Sequence, residues 1–137
     1  MWKYYALLSA IFAALTAVLA KVGVKDINGN LATAIRTSVV LFLAWGIVFF
    51  SGHLKDAKEL SKVNLVFLIL SGLATGLSWI FYFKALETGD VSKVAPIDKL
   101  SIVFVMVLAF IFLKEPIDIK TIAGGTLILA GTIVLIW

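Results

Sequence analysis

The chain has 137 residues, of which 62% are hydrophobic, 15% are charged and none is cysteine. At a mean hydropathy of +1.10, a water-soluble domain of this size would lack the polar surface to cover itself. The absence of cysteine excludes disulfides, thiolate metal sites and cysteine nucleophiles. The net charge of +4 comes from one arginine and from lysines scattered among helix ends and short connections, a pattern that fits lipid headgroups rather than nucleic acid.

Five apolar runs follow one another, at residues 4–24, 31–50, 63–83, 91–113 and 119–137. Each is close to the ~20 residues that an α-helix needs to cross a hydrocarbon core. They show no alternation of apolar and polar residues as barrel strands would. In lipid, where the backbone must satisfy its own hydrogen bonds, each run therefore predicts a transmembrane helix. Short connections without a low-complexity linker predict one domain over residues 1–137, an all-α integral membrane bundle of five helices.

The first run begins with Trp2, Tyr4 and Tyr5, aromatics suited to a membrane interface, as is Trp137 at the other end of the chain. Its basic start and its small residue at Ala20 also fit a signal peptide. Against that, Ala6, Ala10, Ala13, Ala17 and Ala20 recur at helical steps. Such a small-residue face lets helix backbones approach closely, which a disposable segment does not need. Lys21 follows one turn after Ala17 on this face.

Arg36 lies five residues into the second run, beside Thr33, Thr37 and Ser38. Lys21 and Arg36 have two readings: they snorkel to headgroups, or they line a wet vestibule together with Lys84 and Lys99. Such a vestibule favours carboxylate or phosphate groups, with Arg36 offering a bidentate fork. After the polar 51–62 connection, the third run carries Gly72 and Gly76 in a G-x-x-x-G step, then Trp79, Tyr82 and Lys84. The glycines read as helix packing. The two aromatics read either as interfacial anchors or as walls of a substrate cavity.

Gly89 and Asp90 mark a turn into the fourth run, where Pro96, Asp98 and Lys99 stand close together. Lys99 and Lys114 are fifteen residues apart, or about 22 Å of helix, short of a ~30 Å hydrocarbon core. One of the two lies inside the membrane or snorkels. If Lys114 marks its interface, Pro96, Asp98 and Lys99 sit below the opposite surface, in a segment that proline also disturbs. Asp98 is then either a coupling acid or a structural ion-pair partner of Lys99 or Lys21, because Glu87, Asp90 and Glu115 are expected in or beside loops. The 114–118 connection carries Pro116. The fifth run carries Gly124 and Gly131 on one face, which suits close helix contact, including contact between subunits.

Orientation turns on the basic residues. The side holding the N-terminus carries Lys3, Lys55, Lys58, Lys62, Lys114 and Lys120, whereas only Lys25 and Lys93 lie clearly in loops on the opposite side. This places the N-terminus in the cytoplasm, in a multi-pass protein of the cell membrane. Counting Lys21, Arg36, Lys84 and Lys99 with the opposite side makes six against six, a balance that permits dual topology.

The stretches AKVGVKD, AIRTSVV, GLATGLSWIFYFKALETGDVSKVAPIDKLSIVF and FLKEPIDIKTIAGGTLILAGTIVL together resemble an EamA domain of the drug/metabolite transporter superfamily. The likeness covers nearly the whole chain and is most specific from Tyr82 through Pro96 to the Glu115-Pro116 turn. It implies a transporter, usually an exporter of small metabolites, amino acids or toxic compounds. Typical members carry two such five-helix domains in inverted orientation, and this sequence carries one, so the resemblance implies half of an inverted-repeat bundle. Two copies inserted in opposite senses would rebuild the whole, as a homodimer favoured to be antiparallel, or with an inverted paralogous partner. The related small multidrug exporters use an acid in their first helix for cationic drugs. Here that helix holds Lys21 and no acid, which favours an anionic or zwitterionic metabolite.

No H-E-x-x-H or G-x-S-x-G occurs and the single histidine, His53, falls in a polar loop, so no enzyme, metal or cofactor is expected. A non-transporting accessory or scaffold subunit is the alternative function. It should tolerate Asp98→Asn and Arg36→Gln, whereas a transporter should assemble normally and lose flux.

Overall fold

The computed structural model describes residues 1–116 and 118–137, and all its regular elements are helical among those residues. In chain order they are α1 (Trp2–Gly23), α2 (Gly29–Phe50), a 3₁₀ helix (His53–Glu59), α3 (Lys62–Thr88), α4 (Val91–Asp98), α5 (Ser101–Leu108), a π-helical turn (Ala109–Leu113) and α6 (Ile119–Ile136). Five segments are long and apolar enough to cross a membrane, with Val91–Leu113 as one of them. Ile117, in the expected 114–118 connection, lies outside the described residues.

The chain divides into two compact units, Met1–Val18 with Gly89–Trp137, and Leu19–Thr88. In the second unit α2 packs against α3. Asp26 has a positive φ of 61° in the turn that leaves α1, and the Asn28 side chain then caps α2 by accepting from the Asn30 amide at 2.9 Å. At the other end Gly52, with φ 79°, supplies the left-handed residue that commonly closes a helix. The core gathers at one end of this unit: Ala20, Val24, Ala32, Phe83 and Leu86 are buried. Thr33, Thr37 and Ser38 return their hydroxyls to the carbonyls of Gly29, Thr33 and Ala34, so none of these polar groups needs water inside the membrane.

α3 runs to Thr88, five residues beyond the end expected at Phe83. Lys84 interrupts the apolar run but not the helix, because lysine is a good helix former and its stem lies along apolar surface. Glu87, expected in or beside a loop, therefore stands in the last turn of α3.

In the first unit the expected fourth helix is broken. Pro96 lies inside α4 and has no N–H to donate. Lys99 N reaches the carbonyls of both Ala95 and Pro96, and Leu100, Ile102 and Val103 take partners three residues back. The chain thus tightens for one turn before α5 begins. The π turn closes when Ala109 O accepts from Lys114 N and Glu115 N. Lys114 is left-handed at φ 54°, and Pro116 beyond it stops the helix. α6 packs against α4 and α5. Thr132 Oγ1 donates to Ile128 O at 2.9 Å and faces Pro96 O at 3.4 Å. A Cβ placed on Gly125 would sit 3.1 Å from Met106 Sδ, so a glycine is what lets α6 approach α5.

Candidate functional site

Within Leu19–Thr88 the expected residues separate by depth. α2 contains 22 residues, or about 33 Å of helix, and Arg36 lies about 10 Å from its start. Arg36 is half-buried, with its guanidinium carbon 4.1 Å from the Trp79 ring centroid and 5.7 Å from that of Phe83. This sets a cation over aromatic faces, a third of the way along a spanning helix, and an arginine's planar fork suits a carboxylate or phosphate. Tyr82, next to Phe83 in sequence, is half-buried and meets the Phe83 ring edge-on, 6.3 Å between centroids. The Trp79 ring thus lies under the Arg36 guanidinium.

Nearer the end of the unit, Lys21 Nζ donates to Leu86 O at 2.6 Å, filling one of the carbonyls that a helix C-terminus leaves open. The next residue, Glu87, accepts from the Gly29 amide at the start of α2. Leu86 and Glu87 therefore join α1 and α2 to the last turn of α3. An open cavity of about 860 Å³ lies here, lined by Lys21, Lys25, Asp26, Asn28, Leu86 and Glu87 among others. Lys84 is exposed.

In the other unit Asp98 and Lys99 form an ion pair at 3.4 Å, with side-chain exposures of 38% and 52%. At that exposure the pair contributes little energy, and its location at the α4–α5 break is the more informative fact. Pro96 O faces the Thr132 hydroxyl. A smaller cleft of about 210 Å³ between α5 and α6 is lined by apolar side chains with Thr121 and Thr126 and has no charge with which to recognise a polar solute.

Four glycines expected to pack helices, Gly72, Gly76, Gly124 and Gly131, would each leave a Cβ with nothing within 4 Å among the described residues. Inside the protomer the close approaches belong to Gly29 and Gly125 instead. Sequence reading also missed Glu87 and Phe83. The signal for Glu87 was the run Ala85-Leu86-Glu87, which continues a helix through good formers, and the signal for Phe83 was its one-turn spacing from Trp79. Among the described residues no group of histidine, aspartate and glutamate side chains could hold a metal ion.

The model of the EamA-like transporter family matches residues 1–137. An uncharacterized transporter in cobO 3'region of Sinorhizobium sp. is 49% identical over 134 residues, which cover 98% of this chain and 95% of that protein. No solved structure matches. Five apolar spanning helices carry that sequence pattern from end to end, and the chain belongs to the EamA-like transporter family of multi-pass membrane proteins.

Proposed function

We propose that this transporter moves a small anionic or zwitterionic metabolite out of the cell by alternating access between two oppositely inserted copies in the cell membrane. The observation that carries the substrate class is Arg36 on the face of Trp79, because an intramembrane cation is costly unless it serves a site. Lys21 and the cavity beside it extend the positive surface toward the aqueous end. Pro96, Asp98 and Lys99, at the break between α4 and α5, supply a hinge and a charge pair for coupling or for substrate contact.

The reading as a dimer rests on three features. An odd number of spans needs a second copy of opposite sense to make an inverted pair. The basic residues balance at six a side when Lys21, Arg36, Lys84 and Lys99 are counted. The open faces at Gly72, Gly76, Gly124 and Gly131 suit helix contact between copies. The Sinorhizobium relative, named an uncharacterized transporter, is covered to 95% by the match.

The chain has no cysteine, so Lys55→Cys in the 51–62 connection can be labelled in intact cells with a membrane-impermeant thiol reagent, using permeabilised cells as the total. Labelling of about half the molecules is expected for dual insertion. Labelling of almost none would overturn antiparallel assembly and leave all N-termini cytoplasmic. Arg36→Gln should assemble and lose uptake of anionic metabolites into proteoliposomes, and unchanged flux would overturn the substrate class.

A further inference from the structure

The connection between α2 and α3 holds a 3₁₀ helix of seven residues, His53–Glu59, where runs beyond three or four are uncommon. Side chains three apart eclipse in this geometry, so its sequence HLKDAKE sorts into three rows. Leu54 and Ala57 make an apolar row, which Leu60 follows one step past the helix. Lys55 and Lys58 make a basic row, and His53, Asp56 and Glu59 make the third. All are exposed, Leu54 by 48% and Leu60 by 47%. The apolar row is therefore uncovered among the described residues.

The neighbouring helices say what covers it. α2 ends at Phe50 and α3 begins at Lys62, and both are spanning helices within one compact unit. Ser51-Gly52 on one side and Leu60-Ser61 on the other are all that separates the segment from them, so it is tethered at the membrane surface. It packs against α2, and His53 Nδ1 lies 2.8 Å from Ser51 Oγ at the end of that helix. Phe49 and Phe50 meet edge-on there, 5.7 Å between centroids, and Phe50 is exposed.

We propose that residues 53–60 dock on the bilayer itself, with the row of Leu54, Ala57 and Leu60 in the boundary between headgroups and acyl chains and the row of Lys55 and Lys58 on lipid phosphates. A surface-lying helix sinks its apolar face roughly 5–10 Å into that boundary. Lysine stems lie along apolar surface while their ammonium groups reach phosphate oxygens. The third row sets the acids one face away from the lysines. With Lys62 counted, three lysines stand against Asp56 and Glu59, and this net charge of +1 favours anionic headgroups about fivefold. The docking rests on the two spanning helices and is independent of what is transported.

The test uses the full chain in lipid nanodiscs, with single nitroxide labels on cysteines that the native sequence lacks. Relaxation by oxygen, which concentrates in lipid, is compared with relaxation by a neutral nickel chelate, which stays in water. Labels at Leu54→Cys and Ala57→Cys should favour oxygen, and a label at Asp56→Cys should favour nickel. For the Ala57→Cys label, adding phosphatidylglycerol to phosphatidylcholine discs should raise the ratio of immersed to exposed label about fivefold. In Lys55→Gln/Lys58→Gln, which leaves Lys62 against Asp56 and Glu59, the same addition should lower it. Nickel favoured at positions 54 and 57 overturns the docking. Shielding of both positions from both reagents also overturns it, because a second copy then covers the row. A ratio that ignores phosphatidylglycerol, or that rises equally without the two lysines, overturns the contact with phosphate.

Discussion

Arg36 and Trp79 should be coupled energetically, and the expected size follows from their geometry. The guanidinium carbon is 4.1 Å from the Trp79 centroid. Cation–π contacts contribute ~0.5–1 kcal/mol when exposed and ~2 kcal/mol when desolvated. Arg36 is half-buried, so a coupling of about 1–1.5 kcal/mol is expected, near tenfold in an equilibrium constant. The two single substitutions should differ in sign or size. Trp79→Leu leaves an embedded charge without its aromatic cover and should destabilise by about 1–2 kcal/mol. Arg36→Gln removes both the charge and its desolvation cost, and should be nearly neutral. Trp79→Leu should therefore cost much less in the Arg36→Gln background. The assay is a double-mutant cycle by SDS titration of the purified chain in mixed micelles, followed by circular dichroism. Additivity within about 0.3–0.5 kcal/mol, the scatter of independent sites, would refute the stacking and leave Arg36 as a side chain that snorkels.

Three further outcomes follow. Leu86→Ala removes the fully buried side chain where α1, α2 and α3 meet and should cost about 2 kcal/mol in the same titration, mostly as a cavity, because lipid weakens the transfer part. The Asp118 carboxyl is held below its ordinary range by the Thr121 hydroxyl and then by the Thr121 amide. Its stabilisation of the start of α6 should be complete above the usual aspartate range and be lost only as pH falls through the lowered value, seen as hydrogen-exchange protection at Thr121 that Asp118→Ala removes at neutral pH. Gly124→Leu and Gly131→Leu should leave protomer stability unchanged because their surroundings are open, but should weaken association measured by energy transfer between labelled copies in vesicles.

What the sequence revealed was what depends on composition over long windows. Twenty-residue apolar runs have one low-energy backbone solution in lipid, so the five spanning segments were legible before any contact was known. What it hid depends on one or two residues meeting across space. The break after Pro96 was foreseeable as a disturbance, but its position at Lys99 and Leu100 depends on which carbonyls the next amides find. G-x-x-x-G spacing marks a face without saying what the face meets, and at Gly72, Gly76, Gly124 and Gly131 that face is open among the described residues. Gly29 and Gly125 carry no such motif, yet they are the positions where another helix or side chain crowds in.

The length of α3 exceeds the apolar thickness of a bilayer. Its 27 residues span about 40 Å, roughly 10 Å more than a hydrocarbon core. A helix that begins at the membrane surface near Lys62 therefore carries its last two turns, Lys84 and Glu87 included, out of the hydrocarbon at the opposite surface. There a carboxylate avoids the penalty that the bilayer interior imposes. Trp79 lies nine residues before the end of α3, about 13 Å back along the helix and inside the apolar layer. One helix thus carries an aromatic ring under a cation and, near its end, an acid. The acid holds α2, the helix that carries the cation, by its first amide. α2 is continuous from that amide to Arg36, seven residues on, so the bond at the rim fixes the end of the helix that carries the charge over Trp79.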